Sequence, residues 1–267
     1  MKDLLAWFGL KGFPFDKNLK TQDVFETEPF KEAMARFDYI KRRGGILLLT
    51  GDPGVGKTLA LRRYVDTLNT NLFKPYYTPL STLSRADLLY HLNRLLGLPP
   101  RISKSAIYGQ IQKALLESKE SSGKTILIII DEAHLLQTGP LEELRLLTNF
   151  KMDSYDPFIL ILSGQSDLRR TMDFAVMEPF NQRIAMRYHM PSLGPDQTKQ
   201  YVAHHMKLAG AKEPILDDQA LQAVHELSFG IPRKIGAITE AALTYAMFDH
   251  KRTVTPDMVL KVKTLEG

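Results

Sequence analysis

The chain reads as an α/β protein: a mainly parallel, five-stranded sheet flanked by helices on both faces, followed by a small all-helical domain. Three observations predict this. Short apolar runs alternate with helical patterns as far as Met190. One of those runs, Ile126–Ile130, has no polar alternation, as a strand buried on both faces requires. Beyond Pro191 only helical patterns remain.

The first thirty residues are irregular and aromatic, with Trp7, Phe8, Phe13, Phe15, Phe25 and Phe30. A helix is expected over Pro29–Arg43, where Gly44-Gly45 closes it and Lys41, Arg42 and Arg43 suit its last turn. Strands are expected at Ile46–Thr50, Pro75–Leu80, Ile126–Ile130, Phe158–Leu162 and Ala185–Met190. Helices are expected at Lys57–Leu68, Arg85–Leu96 and Leu141–Phe150. Four more follow Pro191, at Asp196–Ala209, from the cap Asp217 to Gly230, at Ile231–Phe248, and from the cap Thr255 with Pro256 at the first helical position. Domains are therefore expected at 1–190 and 191–267.

Composition sets the outer bounds. Hydrophobic content of 44% and charged content of 24% are those of a globular protein. With no cysteine, disulfides and thiolate metal sites are excluded. No signal peptide is visible at Met1–Trp7, and no apolar run approaches the roughly 20 residues that span a bilayer, so a cytoplasmic protein without a membrane partner is expected. Net charge is +5, and the whole surplus lies before Pro191, because the rest carries 9 basic and 9 acidic residues. Such an excess permits an anionic partner without requiring one.

The chemistry is carried by Gly51-Asp52-Pro53-Gly54-Val55-Gly56-Lys57-Thr58, which satisfies GxxxxGK[ST] and lies between a predicted strand and a predicted helix. Chance yields this pattern in roughly one chain in a hundred of this size. The glycines let backbone N–H groups close around phosphates, and the helix start, through Leu59, favours an anion. Lys57 is expected on the β- and γ-phosphates and the Thr58 hydroxyl on Mg²⁺. The strand Ile126–Ile130 ends in Asp131-Glu132, placing Asp131 to hold Mg²⁺ directly or through water and Glu132 to polarise an attacking water. ATP and Mg²⁺ are thus the expected cofactors, with hydrolysis favoured over transfer to a small acceptor. His134 reads equally well as a polar residue opening a helix. His204-His205 face different ways on a helix and suggest no metal.

On these motifs the chain resembles the AAA+ ATPases, and more narrowly the ExeA-like and TniB-like ATPases, relatives of the TnsC and Mu B transposition regulators. Further residues carry the narrower resemblance: Phe8-Gly9-Leu10-Lys11 with Pro14-Phe15, Asp131 to His134 with Leu144 to Phe150, Ser163-Gly164-Gln165, Gln182-Arg183-Ile184, and Gly230-Ile231-Pro232-Arg233. The resemblance implies an AAA+ domain with a helical lid. It makes Gln165 sensor 1, Arg183 the arginine finger (Arg187 the fallback) completing a neighbour's site, and Arg233 sensor 2. It makes residues 1–30 an adenine wall, for which core packing is the competing reading. It also implies duplex DNA contacts from Ser81–Arg85 and Pro99–Lys104, with Arg85, Arg101 and Lys104 as candidates and a solvated loop as the alternative.

The resulting expectation is a regulator of DNA transposition. ATP drives self-association into a ring or filament on target DNA, a separate transposase is recruited, and hydrolysis releases the assembly. The rival readings are a secretion-associated ATPase like the ExeA proteins, whose membrane span and envelope-binding region are not seen here, and a helicase loader, for which no adaptor segment is seen. Asp-Glu-Ala-His also occurs in RNA helicases, but only about 75 residues follow the sheet, too few for a second RecA-like domain.

Overall fold

A computed structural model describes residues 2–16, 19–79 and 83–263. In chain order the elements are α1 (Lys2–Phe8), α2 (Glu28–Arg43), β1 (Gly45–Thr50), α3 (Lys57–Thr67), β2 (Phe73–Pro79), α4 (Arg85–Leu95), α5 (Lys104–Glu120) and β3 (Thr125–Asp131). Then come α6 (Thr138–Leu147), β4 (Phe158–Gly164), α7 (Ser166–Met172), α8 (Glu178–Asn181), β5 (Ile184–His189), α9 (Pro195–Leu208), α10 (Asp218–Ser228), α11 (Pro232–Phe248) and α12 (Pro256–Lys263). No helix among the described residues is long and apolar enough to cross a membrane. By contacts the chain forms two compact units: a sheet unit of Glu32–Gly51 and Lys57–Met190, and a helical unit of Met1–Lys31, Asp52–Gly56 and Pro191–Gly267.

In the sheet unit the five strands run parallel in the order β2-β3-β4-β1-β5. Every residue of β1, β3 and β4 is buried, the mark of strands covered on both faces. Alternate residues serve the two faces. Ile46, Leu48, Ile126, Ile128 and Leu160 pack with Leu88, Leu92, Ile107, Ile111 and Leu115 of α4 and α5. In register Thr50 is opposite Gly164 and Ile130 opposite Leu162. The ends of β1, β3 and β4 therefore reach one edge of the sheet together, where ligands of open parallel sheets bind.

The helical unit has its own core, built from Leu193, Val202, Met206, Val224, Ile235, Leu243 and Val259, with Leu4 and Leu10. Asp217 caps α10 by accepting from Ala220 N at 2.6 Å. Gly230 follows α10 in the left-handed region, φ +69, and a Cβ there would lie 1.9 Å from the Leu193 carbonyl oxygen.

The architecture is the expected one; several boundaries differ. The helix expected over Leu141–Phe150 begins earlier, at Thr138, because Pro140 is tolerated in a first turn. It ends at Leu147, before Lys151, Met152 and Asp153, which all have positive φ. α5 was not foreseen. It starts at Lys104, on the cap Ser103, and buries Ile107, Ile111 and Leu115 at four-residue spacing. Leu80, Ser81 and Thr82, part of an expected strand and an expected DNA-contacting segment, lie outside the described residues.

Candidate nucleotide site

Three hydrogen bonds converge on Asp131, the last residue of β3, which is 2% exposed. Its Oδ2 accepts from the Thr58 hydroxyl at 2.7 Å and from the Tyr77 hydroxyl at 3.1 Å. Its Oδ1 accepts from Glu132 N at 3.0 Å. Burial, and next the neighbouring Asp131, push the Tyr77 phenol up to about 12, so it remains a donor at neutral pH. The Thr58 and Asp131 oxygens are hard ligands of the kind that suit Mg²⁺. Among the described residues no cluster of three or more His, Cys, Asp or Glu could hold a metal. A cation here would fill its remaining positions with water and substrate phosphates, as Mg²⁺ usually does.

Glu132 turns away from the strand in the left-handed conformation, φ 55. That places its Oε2 3.4 Å from His134 Nδ1. The same nitrogen accepts from Gln165 N at 3.4 Å, so His134 links the ends of β3 and β4. Gln165 precedes α7, with no side-chain capping bond. Lys57, 7% exposed at the start of α3, donates from Nζ to the Gly51 carbonyl at 2.8 Å.

Asp52 to Gly56 group with the helical unit. Gly54 has φ +88; its carbonyl accepts from Arg233 N at 3.3 Å, and a Cβ on it would lie 2.8 Å from Arg233 Cβ and 3.2 Å from Ile231 Cγ2. Glycine is therefore needed twice over, for its φ and for the close approach of α11. Val55 is buried, and Asp52 and Pro53 are exposed. Arg233 is itself exposed in the first turn of α11.

Arg183 lies between α8 and β5, its side chain 16% exposed. It donates to Thr148 Oγ1 at 3.1 Å and pairs with Asp153 at 2.8 Å. Arg187 donates to the Asn181 carbonyl at 3.2 Å and to its Oδ1 at 2.8 Å. The cations considered for DNA have partners too. Arg85 pairs with Glu142 at 2.8 Å, Lys104 with the buried Glu143 at 2.6 Å, and Arg101 donates to Gln110 at 2.9 Å. The N-terminal aromatics pack inside the helical unit: Phe15 against Tyr201 and His205, Phe25 against Tyr201 and His204, and Trp7 beneath Arg252.

Sequence reasoning missed Tyr77 and left His134 open. Tyr77 becomes visible only through the β2–β3 register, which pairs Pro79 with Asp131 and brings the tyrosine two positions behind the carboxylate.

Residues 40–172 match the AAA domain family. The chain is 34% identical over 252 residues to General secretion pathway protein A of Aeromonas hydrophila, covering 92% of this chain and 45% of that protein. It is 36% identical over 122 residues to the ATP-dependent target DNA activator B of Escherichia phage Mu, covering 46% of this chain and 37% of the activator. It thus spans less than half the length of either curated relative. Among solved structures, the Aeropyrum pernix ORC2 protein in its ADPNP-ADP complexes superposes with a TM-score of 0.65 over 93% of this chain and 69% of that one, at 17% identity. At that identity the likeness is one of fold.

Proposed function

Because this chain belongs to the AAA+ ATPases, with an AAA domain over residues 40–172, we propose that it hydrolyses ATP and uses the cycle to assemble on and leave duplex DNA as a regulator of transposition. The observation that carries the catalytic part is the set of Lys57, Thr58, Asp131 and Glu132 at the carboxyl ends of neighbouring strands. Bound ATP with Mg²⁺ supplies an electrophilic γ-phosphate. Lys57 exchanges the Gly51 carbonyl for phosphate oxygens, Thr58 and Asp131 provide the cation's protein oxygens, and Glu132 takes the proton of the attacking water. Gln165 orients that water or the γ-phosphate. Asp52 to Gly56 and Leu59 supply the rest of the cradle. In this reading the activity is cytoplasmic, where ATP is supplied.

In this reading the ATPase domain is 1–190 and the lid 191–267. Arg233, bonded to the loop at Gly54, reports nucleotide state to the helices. Arg183 completes a neighbouring subunit's site, which requires it to exchange Asp153 for phosphate oxygens, a trade that guanidinium geometry allows. Arg187 is the alternative finger. Arg85, Arg101 and Lys104 contact DNA phosphates, two of them by giving up carboxylate partners on α6. The likeness to a target DNA activator supports DNA as a partner; a separate transposase is the further partner of this proposal. The test is sedimentation with ATP, with and without duplex DNA at low salt. ATP-dependent assembly on DNA is expected; a monomer that ignores DNA under those conditions refutes the reading.

A second reading, a secretion-associated ATPase, is favoured by the likeness to General secretion pathway protein A over 92% of this chain. Co-purification with secretion components, and none with a transposase, would select it.

A further inference from the structure

The Tyr77 hydroxyl on Asp131 has no part in the chemistry above. Tyr77 sits on β2, an edge strand of the sheet, and the residue is 46% exposed. A tyrosine placed so can keep its hydroxyl in water. Here the hydroxyl turns inward to a carboxylate that is 2% exposed. The ring meanwhile walls a recess of about 270 Å³ together with Thr58, Leu61, Arg62, Val65 and Asp66 of α3. One side chain therefore lines the recess beside the helix that begins with Lys57 and Thr58 and, through its oxygen, holds the carboxylate that ends β3.

The two donors on Asp131 Oδ2 are not equivalent. Thr58 is itself an expected cation ligand, and a hydroxyl that turns its lone pair to a cation no longer has one fixed bond to give the carboxylate. Tyr77 has no such second task. Its bond holds Oδ2 whether or not Thr58 is engaged. Hydrogen bonds of this kind, made to a ligand and not to the metal, set ligand orientation and change metal affinity by about 10–100-fold when removed.

We propose that Tyr77 is a positioning residue for the magnesium site, its hydroxyl holding the Asp131 carboxylate in the orientation that presents it beside Thr58. This rests on reading Thr58 and Asp131 as the Mg²⁺ ligands. Tyr77→Phe removes only the oxygen and keeps the ring that lines the recess.

The test titrates Mg²⁺ into the full chain holding a fluorescent, slowly hydrolysed ATP analogue, for wild type, Tyr77→Phe and Asp131→Asn. A parallel titration measures analogue affinity in EDTA. For Tyr77→Phe the Mg²⁺ concentration at half-saturation is expected to rise about tenfold, with affinity in EDTA unchanged. A half-saturation within twofold of wild type, alongside a strong loss in Asp131→Asn, overturns the role of Tyr77 and leaves the metal site standing. Equal weakening with and without Mg²⁺ makes Tyr77 a packing residue only and also overturns it. Wild-type Mg²⁺ dependence in Asp131→Asn refutes the metal site, and the role of Tyr77 with it.

Discussion

Replacing Glu132 by glycine and by alanine separates backbone strain from chemistry at one residue. The left-handed backbone of Glu132 is fixed from several sides: its N–H donates to Asp131 Oδ1 at 3.0 Å and its carbonyl accepts from Leu135 N at 3.0 Å. An L-residue in this conformation costs about 1–2 kcal/mol, and glycine escapes that cost. Glycine in turn loses about 0.4–1 kcal/mol through its freer unfolded chain. The difference between the midpoints of these ranges leaves Glu132→Gly more stable than Glu132→Ala by about 0.8 kcal/mol. In a chain of this size that is roughly 2 °C in melting temperature. Both variants lack the base, so ATP hydrolysis is expected to fall about 10²–10⁴-fold while nucleotide binding persists. Thermal denaturation and phosphate release measured on the same preparations check both halves. A glycine variant melting at or below the alanine variant refutes the strain reasoning. An alanine variant that still hydrolyses ATP at the wild-type rate refutes the role of Glu132.

Two further outcomes concern the helical unit. Gly230→Ala forces a Cβ to within 1.9 Å of the Leu193 carbonyl oxygen at a φ of +69, so α10 and α11 must shift, and a drop in stability of about 3 kcal/mol or more is expected by denaturant titration. Burial pushes His205 down to about 4, its bond to the Pro14 carbonyl opposing and His204 adding to the fall. As pH drops below 6.5 the unfolded chain takes up this proton before the folded one, so stability is complete above that pH and is lost toward pH 4. The loss reaches about 3 kcal/mol at most, and His205→Phe should flatten the pH–stability curve over that interval.

How much of this was legible in the sequence follows from how local each signal is. The glycine-rich turn between β1 and α3 was readable, because its glycines, lysine and threonine are contiguous and their neighbours on both sides are strongly patterned. The apolar run ending in Asp131-Glu132 was readable for the same reason. So was Asp217, which satisfies α10 from three residues away. α5 went unread although Ile107, Ile111 and Leu115 carry the helical spacing, because Pro99 to Lys104 was taken as a loop reaching for DNA and the cap Ser103 lies inside it. The carboxylates facing Arg85 and Lys104 come from α6, 57 and 39 residues further on, and no local pattern reveals such pairs. Tyr77 is the same case within the site: its neighbour on the chain, Tyr76, looks identical in sequence, and only the pairing of β2 with β3 decides which hydroxyl meets Asp131.

In the proposed cycle each ATP site is finished by a residue from another copy of the chain. Mixing two inactive variants on duplex DNA tests it most directly. Lys57→Ala keeps Arg183 but cannot hold the phosphates, and Arg183→Ala holds them but offers its neighbour no finger. Each alone is expected to release almost no phosphate and the mixture to regain hydrolysis, through sites pairing an intact loop with an intact arginine. An Arg183→Ala variant as active alone as wild type, or a mixture as silent as its parts, would contradict it.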